Sequence, residues 1–225
     1  ADRVANRLDG ATRKRRVEQV RATKQSMAET LASMGEGNAE DDPRASKAEL
    51  VDALRDLEAD PFIVDEGVTA KYALLTRYDL EPQEYVSNKG GGLGYGLPAA
   101  VGAAFAESLR DEPRDVMGYV GDGSYLYYPQ SVYTAVRHDL DLTVVVPDNR
   151  NYRILKDNTN LMFGGTDADH DYVGMDFDPH VDIPTNAESH GARGHLVETP
   201  GTITEVVAEA LGASGVDVVD VLVHD

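Results

Sequence analysis

GDGSYLYYPQSVYTAVRHDLDLTVVVPDNRNY, residues 121–152, is the stretch of this 225-residue chain that decides its fold. It directly follows the apolar run VMGYV at residues 116–120, and it contains a second apolar run, LTVVV, at residues 142–146. Residues 129–138, between the two runs, have a helical pattern. The order strand, glycine turn, helix, strand, polar turn predicts a βαβ unit. We therefore predict an α/β fold in which a mostly parallel sheet carries helices on both faces.

Both polar turns of this unit come at the carboxyl ends of predicted parallel strands, where open α/β sheets bind ligands. Asp122 is a carboxylate between two glycines, which allow close approach to the backbone. Asn149, in the neighbouring turn, offers a neutral carbonyl oxygen. Mg²⁺ prefers oxygen ligands and often shares them with phosphates, and the N–H groups of a helix that starts after Gly123 favour an anion. The pattern predicts a metal-bridged diphosphate.

Asp122 and Asn149 lie 27 residues apart, and GDGS followed at this distance by an Asn pair resembles the fingerprint of thiamine-diphosphate (ThDP) enzymes. The resemblance implies that Asp122 and Asn149 bind Mg²⁺ through their side chains and that Asn151 binds it through its backbone carbonyl. The alternative is an ordinary βαβ turn with a solvated aspartate. The cofactor-binding residues that the motif implies are Gly121, Asp122, Gly123, Ser124, Asn149, Asn151 and Tyr152.

A glycine-rich segment, GGGLGYGLPAAVGAA, occupies residues 90–104. Glycine density of this kind marks backbone that comes close to a ligand or to other backbone. The segment resembles G-G-L-G-x-x-L-P-A-A-x-G of benzoylformate decarboxylase and the acetolactate synthase group. The resemblance implies that the backbone of Gly91 and Gly92 meets the aminopyrimidine of the cofactor and that Leu93 props the cofactor into its bent form. The alternative is a glycine loop followed by a closely packed helix.

An earlier strand and turn precede the glycine-rich segment. Residues 61–64 have the pattern of a short buried strand, residues 65–69 that of a turn, and residues 70–77 that of a helix. In ThDP enzymes the first strand and turn of this domain touch the diphosphate. By position alone, the resemblance extends this contact to Gly67, Val68 and Thr69.

The chain divides by composition into two parts. Residues 1–34 read as one polar helix and residues 35–45 as a linker, so residues 1–45 look like the tail of an upstream region. The sequence SKAE at residues 46–49 fits a capping box before an amphipathic helix. We predict that residues 46–225 form the ThDP diphosphate- and Mg²⁺-binding domain, with an N-terminal helical extension before it.

Residues 156–185 have no strong periodicity and are predicted to form a functional loop or a cover ordered by a partner. Beyond them the pattern favours a return to regular structure. The predicted elements are a helix from residue 186 to about residue 194, a strand at 195–198, a helix at 202–211 and a buried strand at 216–223.

Two residues depart from the family pattern. Asp148 replaces the first Asn of the usual pair, which leaves the metal ligand intact, and Arg153 stands where a small residue is frequent, close to the thiazolium. His190 is interpreted as structural. A second metal cluster is disfavoured, because its spacing fits no metal motif and general acidity produces such runs. Its members would be Asp169, His170, Asp171, Asp176, Asp178 and His180.

The chain is strongly acidic, with 40 acidic and 21 basic residues and a formal charge of −19. A surface of this kind argues against nucleic-acid binding, which needs a basic footprint. Since lysine is depleted while the acids are spread along the chain, we favour a salt-adapted cytoplasmic protein from a halophile over a merely acidic one. No apolar run reaches membrane-spanning length, and the charged N-terminus lacks the apolar core of a signal peptide.

The resemblance implies a 2-oxo acid decarboxylase or carboligase. It also implies a partner, a pyrimidine-binding domain or subunit that carries the activating glutamate, and assembly as a homodimer or tetramer. No catalytic residue is assigned within this chain, so we expect it to be a C-terminal domain or one chain of a split enzyme, inactive alone. The alternatives are a subunit of a ThDP-dependent oxidoreductase and a non-catalytic α/β nucleotide-binding module.

Overall fold

A six-stranded parallel sheet forms the centre of the molecule, with its strands in the order β2-β1-β3-β4-β6-β5. The computed structural model describes residues 10–34, 42–81 and 83–225. The strands are β1 Phe62–Glu66, β2 Tyr85–Ser87, β3 Val116–Val120, β4 Leu142–Asp148, β5 Arg193–Val197 and β6 Val216–Leu222. The helices are α1 Gly10–Met34, α2 Lys47–Arg55, α3 Lys71–Arg77, α4 Gly96–Ser108, α5 Asp122–Tyr125, α6 Ser131–Arg137, α7 Arg153–Phe163, α8 Ile183–Ser189 and α9 Ile203–Gly212, with 3₁₀ turns at Asp167–Asp169 and Pro200–Thr202.

Hydrophobic cores cover both faces of the sheet, which is why its central strands are mainly apolar. Every residue of β3, β4 and β6 is buried. Helices α2, α3 and α9 pack on one face, and α4, α6 and α8 pack on the other. The predicted α/β fold with helices on both faces is confirmed.

The strand register brings three polar turns to one edge of the sheet. Glu66 at the end of β1 lies opposite Val120 at the end of β3, and β4 runs parallel beside β3. Strand β2 lies on one side of β1 and β3 on the other, so the chain changes direction across the sheet at β1. The turns after β1, β3 and β4 therefore meet at a topological switch point, where sheets of this kind bind ligands.

Several predicted boundaries hold, and three are wrong. The capping box forms: the Ser46 hydroxyl accepts from the Glu49 N–H at 3.1 Å, and Glu49 accepts from the Ser46 N–H at 2.8 Å. Strand β1 runs through Asp65 and Glu66, which were predicted to lie in a turn. Both side chains are buried and hydrogen-bonded, so the strand continues through them.

The prediction of an irregular segment at residues 156–185 is wrong for its first part, because α7 extends to Phe163. No residue of α7 is buried, and its middle is rich in Asn, Asp and Thr, which are weak helix formers. Arg153 stabilises it through ion pairs with Asp157 at 2.8 Å and Asp167 at 2.6 Å. The helix predicted from residue 186 instead spans Ile183–Ser189, since Asp182 caps it and Pro184 lies in its first turn.

Helix α1 forms as predicted within residues 10–34 and packs against α3. The rest of the predicted helix, residues 1–9, and most of the predicted linker, residues 35–41, lie outside the described residues. Ala45 is buried and pairs with Val223, so the compact part already includes it. None of the helices in the described ranges is long and apolar enough to cross a membrane. The division at residue 46 stays a prediction.

Candidate functional site

A cleft lies at the carboxyl edge of the sheet, between the turns that follow β1, β3 and β4. Its empty volume is about 410 Å³, counted with the part that opens to solvent. All the predicted site residues except Gly91 and Gly92 line this cleft. Those that do are Gly67, Val68, Thr69, Leu93, Gly121, Asp122, Gly123, Ser124, Asn149, Asn151 and Tyr152.

Asp122 is the most constrained charged group of the cleft. Its side chain is buried, and its Oδ1 accepts a hydrogen bond from the Gly123 N–H at 2.8 Å. Its Oδ2 has no hydrogen-bond partner among the described residues. Burial, and then the neighbouring Asp148 carboxyl, raise the pKa of Asp122 well above its usual value. The protein by itself thus provides too little positive charge for this carboxylate.

The turn after β4 presents two asparagines to the same cleft. The Asn149 Nδ2 donates to Asp225 at 2.5 Å, and the Asn151 Nδ2 donates to Asp225 at 3.0 Å and to the Asn149 carbonyl at 2.8 Å. Because both Nδ2 atoms are used in these hydrogen bonds, the Oδ1 atoms of the two side chains point away from Asp225. The Asn149 Oδ1 accepts the Asn151 N–H at 3.4 Å, and in the described structure the buried Asn151 Oδ1 is unpaired.

Asp148 supports this turn from inside the sheet. The side chain is buried, and its Oδ1 accepts the N–H of Arg150 at 2.7 Å. Arg150 adopts a φ of 61°, which a non-glycine residue rarely does. The local carboxylate therefore stabilises a strained turn, and this is a structural reason for an aspartate where the family usually has asparagine.

Tyr152 covers the GDGS turn. Its ring lies so close to Gly123 that a Cβ there would come within 2.5 Å of the Tyr152 ring, and Phe177 meets the same ring edge-on at 4.8 Å between centroids. Glycine at position 123 is therefore required by close packing, independently of any ligand.

We expect Gly123→Ala to destabilise the chain by about 1–2 kcal/mol and to displace the Tyr152 ring, because overpacking forces neighbours to move. Denaturant unfolding measures the first effect, and near-ultraviolet circular dichroism of the tyrosines the second. Gly102→Ala in α4 is the control, since its Cβ meets nothing within 4 Å. Equal behaviour of the two variants would contradict the packing role of Gly123.

The turn after β1 is held by an acid that the sequence did not single out. Asp65 is fully buried, and it accepts the Gly67 N–H at 2.8 Å and the Tyr85 hydroxyl at 2.5 Å. Lys71 lies 3.3 Å from the same carboxylate. Val68 has a φ of 51°, so the turn is strained and needs this support. An acid directly after an apolar run reads as a turn residue, which is why Asp65 was missed.

The glycine-rich segment reaches the cleft through Leu93. Gly91 and Gly92 are exposed and lie outside the cleft, whereas Leu93 lines it. Asn88 organises the segment: its Oδ1 accepts the Gly90 N–H at 2.6 Å and the Gly91 N–H at 3.2 Å, and its Nδ2 donates to the Gly92 carbonyl. These local bonds shape the segment and leave the glycine backbone open to solvent.

Four other features that the sequence analysis considered contribute little to the cleft. The helix after Gly121 is a single turn, α5, so its dipole is weak. Arg153 lines the cleft but is already ion-paired with Asp157 and Asp167. Within the described ranges, no group of three or more His, Asp or Glu side chains is arranged to bind a metal ion. His190 ends α8 and does not line the cleft.

The residues present fit a hard cation with oxygen ligands. Three buried polar atoms without partners in the described part of the chain belong to cleft residues: Asp122 Oδ2, Ser124 Oγ and Asn151 Oδ1. Buried polar groups are normally hydrogen-bonded, so a cluster of unpaired ones points to a missing partner. One carboxylate, a hydroxyl and amide oxygens are the donors that Mg²⁺ takes together with phosphate and water.

Fold and cleft together define a parallel α/β domain with an oxygen-rich cleft at its switch point. The family described as "Thiamine pyrophosphate enzyme, C-terminal TPP binding domain" matches residues 67–221 of the chain. The match covers well over half of the sequence and includes the turns after β1, β3 and β4. The chain belongs to this family, and the resemblance to ThDP enzymes is confirmed.

Similar proteins carry names from the same group. Benzoylformate decarboxylase of Pseudomonas aeruginosa is 30% identical over 166 residues, which are 73% of this chain and 29% of that protein. Acetolactate synthase of Bacillus subtilis is 30% identical over 181 residues, 79% of this chain and 30% of that protein. The chain spans about a third of the length of the curated relatives that it matches.

Solved structures agree with the sequence relatives. The ThDP-dependent 4-hydroxybenzoylformate decarboxylase of Rhodococcus jostii RHA1 superposes with a TM-score of 0.74 at 28% identity, over 84% of this chain and 34% of that one. Benzoylformate decarboxylase of Polynucleobacter necessarius superposes with a TM-score of 0.69 at 28% identity, over 85% of this chain and 35% of that one. The fold is that of the ThDP-binding domain of such decarboxylases.

Proposed function

We propose that this chain is the Mg²⁺–diphosphate half of a ThDP-dependent enzyme that decarboxylates or ligates 2-oxo acids. The observation that carries the proposal is the buried, unpaired Oδ2 of Asp122 in a cleft between three strand ends, within a domain of the ThDP-binding family. Decarboxylation and carboligation are both represented among the relatives, by benzoylformate decarboxylase and acetolactate synthase.

In this proposal the chain binds and orients the diphosphate of the cofactor. Asp122 and Asn149 would hold the metal through side-chain oxygens. Asn151 adds its backbone carbonyl. The turns at residues 67–69 and 121–124 receive the diphosphate, and Leu93 also lines the cleft. The Tyr152 ring packs against Gly123 beside the diphosphate turn. When bound, ThDP supplies the electron sink for the carbanion of 2-oxo acid chemistry.

The rest of the enzyme is proposed to come from outside these residues. A pyrimidine-binding domain or subunit would carry the glutamate that activates the cofactor, and the active assembly would be a homodimer or tetramer. A cytoplasmic location and adaptation to high salt remain predictions from the charge of −19. The two alternatives, a subunit of a ThDP-dependent oxidoreductase and a non-catalytic nucleotide-binding module, gain no support, since these similar proteins bear names of decarboxylases and synthases.

Thermal unfolding of the chain in molar KCl tests the proposal. ThDP with Mg²⁺ is expected to raise the unfolding midpoint, because a ligand that binds only the folded state stabilises it, by about 2.7 kcal/mol at a hundred times its dissociation constant. ThDP with EDTA is the control and should give no rise. A flat response to ThDP with Mg²⁺, or an equal rise with a magnesium nucleotide, would contradict the proposal and favour a general nucleotide-binding module.

A further inference from the structure

Glu66 makes contacts that no motif predicted. It ends β1, and its side chain is 3% exposed. The carboxylate accepts two backbone hydrogen bonds at the start of α4, from the Tyr95 N–H to Oε1 at 3.2 Å and from the Gly96 N–H to Oε2 at 2.7 Å. The buried Glu66 carboxylate of β1 thus caps the N-terminus of the 13-residue helix α4. Gly96, the first residue of this helix, is 30 residues away in sequence.

The backbone of the same residue reaches a second turn. The Glu66 carbonyl accepts the Gly121 N–H at 3.2 Å, directly before Asp122. Glu66 also immediately precedes Gly67 and its turn. One residue is therefore bonded to, or continuous with, three of the segments that line the cleft: the turn after β1, the GDGS turn and the glycine-rich segment.

The fit between Glu66 and α4 is tight. A Cβ at position 96 would lie 2.6 Å from the Glu66 Cβ and 3.1 Å from its Oε2, so glycine at this position permits the approach. Leu93, which lines the cleft, is three residues before Gly96. The part of the cleft that Leu93 lines is consequently anchored through Gly96 to β1, the strand that leads into the turn at residues 67–69.

We infer that Glu66 is a positioning residue, whose carboxylate holds residues 88–94, which lead into α4, at a fixed distance from the GDGS turn. The inference rests on the proposed function. A carboxylate suits this task because it accepts both N–H groups and complements the positive end of the helix. Glutamine would offer one acceptor oxygen and turn an NH₂ group toward a donor, so it cannot replace both bonds.

Glu66→Gln in the full chain tests the inference. Its side chain can keep at most one of the two bonds to α4, while the backbone bond to Gly121 stays. We expect the dissociation constant for ThDP with Mg²⁺ to rise about tenfold or more, since hydrogen bonds to charged groups are worth that much. Binding of inorganic diphosphate with Mg²⁺, which needs only the GDGS side, should change by less than about twofold by the same reasoning. Amide hydrogen exchange at Tyr95 and Gly96 should accelerate.

Glu107→Gln is the matched control. Glu107 lies in α4, the helix that Glu66 caps, is 7% exposed and also accepts a backbone hydrogen bond, from the Arg114 N–H at 3.1 Å, but it does not line the cleft. We expect this variant to lose stability without any change in the ratio of ThDP to diphosphate affinity. A purely structural role of Glu66 would make the two variants alike.

The outcomes separate the inference from the proposed function. If wild type binds ThDP and Glu66→Gln binds it equally well, or loses ThDP and diphosphate affinity equally, the inference is overturned and the function stands. If wild type binds neither ligand, the function fails. The exchange rates then decide the inference: acceleration confined to Tyr95 and Gly96 supports it, and unchanged rates overturn it.

Discussion

Asp122→Asn is expected to raise the unfolding midpoint of the ligand-free chain at about pH 8 and to abolish the rise that ThDP and Mg²⁺ produce. Both effects have one cause. The Asp122 carboxylate is buried, its Oδ2 is unpaired in the described structure, and burial and Asp148 raise its pKa. Its ionisation therefore destabilises the empty site, and the same charge attracts a cation. Asparagine keeps the shape and removes the charge.

The pH dependence of this prediction has a definite sign. The pKa of Asp122 is higher in the folded than in the unfolded chain, so the folded state binds more protons and stability falls as pH rises. The gain from Asp122→Asn should be present at about pH 8 and disappear below the ordinary aspartate pKa of 3.8. Asp115→Asn, at an exposed position directly before β3, is the control and should change neither property. A variant that kept the full response to ThDP with Mg²⁺ would exclude Asp122 as a metal ligand.

Asp220→Asn is expected to raise the free energy of unfolding at about pH 8 by on the order of 3 kcal/mol. Asp220 lies in β6 and is 3% exposed, and its Oδ1 has no partner within the described residues. Burial, and then Asp148, raise its pKa to about 8. The full shift of the Asp220 pKa from 3.8 to about 8 would correspond to a larger gain in the free energy of unfolding. The amide of asparagine must itself be buried, however, which offsets part of this gain.

The sign again follows from the direction of the shift. Because the folded-state pKa of Asp220 is raised, its destabilising effect grows as pH rises from 3.8 toward about 8 and is absent at lower pH. Denaturant unfolding at about pH 8 and about pH 4 measures the difference between variant and wild type at each pH. The expected gain is large at the first pH and small at the second.

Asp217→Asn provides a contrast on the same strand. Asp217 is also buried, but it is paired with Arg193 at 2.5 Å and with His195 at 2.8 Å. Removing one partner of such a pair leaves the other uncompensated, so this variant should lose stability. Opposite signs for two Asp→Asn changes three residues apart would show that pairing, and not burial alone, decides the effect. Equal losses in both variants at both pH values would contradict the account of Asp220.

The sequence was most informative where apolar runs end in polar turns. The runs at β3 and β4 predicted those strands, and the turns after them led to Asp122 and Asn149, which the structure places in one cleft. This worked because parallel strands buried on both faces are continuous apolar runs, which stand out against a polar background. The positional match also led to Gly67, which lines the same cleft.

Residues that act through distant partners could not be found in this way. Asp65 and Glu66 look like turn residues, because acids are rarely buried unless they are paired, and their partners Tyr85 and Gly96 are 20 and 30 residues away. The exposed position of Gly91 depends on bonds to Asn88, which periodicity does not reveal. Helix α7 was missed because none of its residues is buried.

Paramagnetic broadening by Mn²⁺ tests most directly the claim that the strand ends hold a metal-bridged diphosphate. Mn²⁺ suits the same oxygen ligands as Mg²⁺. In the nuclear magnetic resonance spectrum of this 24.4 kDa chain, substoichiometric Mn²⁺ with ThDP should selectively broaden the amide signals of Asp122, Asn149 and Asn151. Without ThDP the selectivity should be lost. Broadening spread over the acidic surface, equal with and without ThDP, would contradict the account.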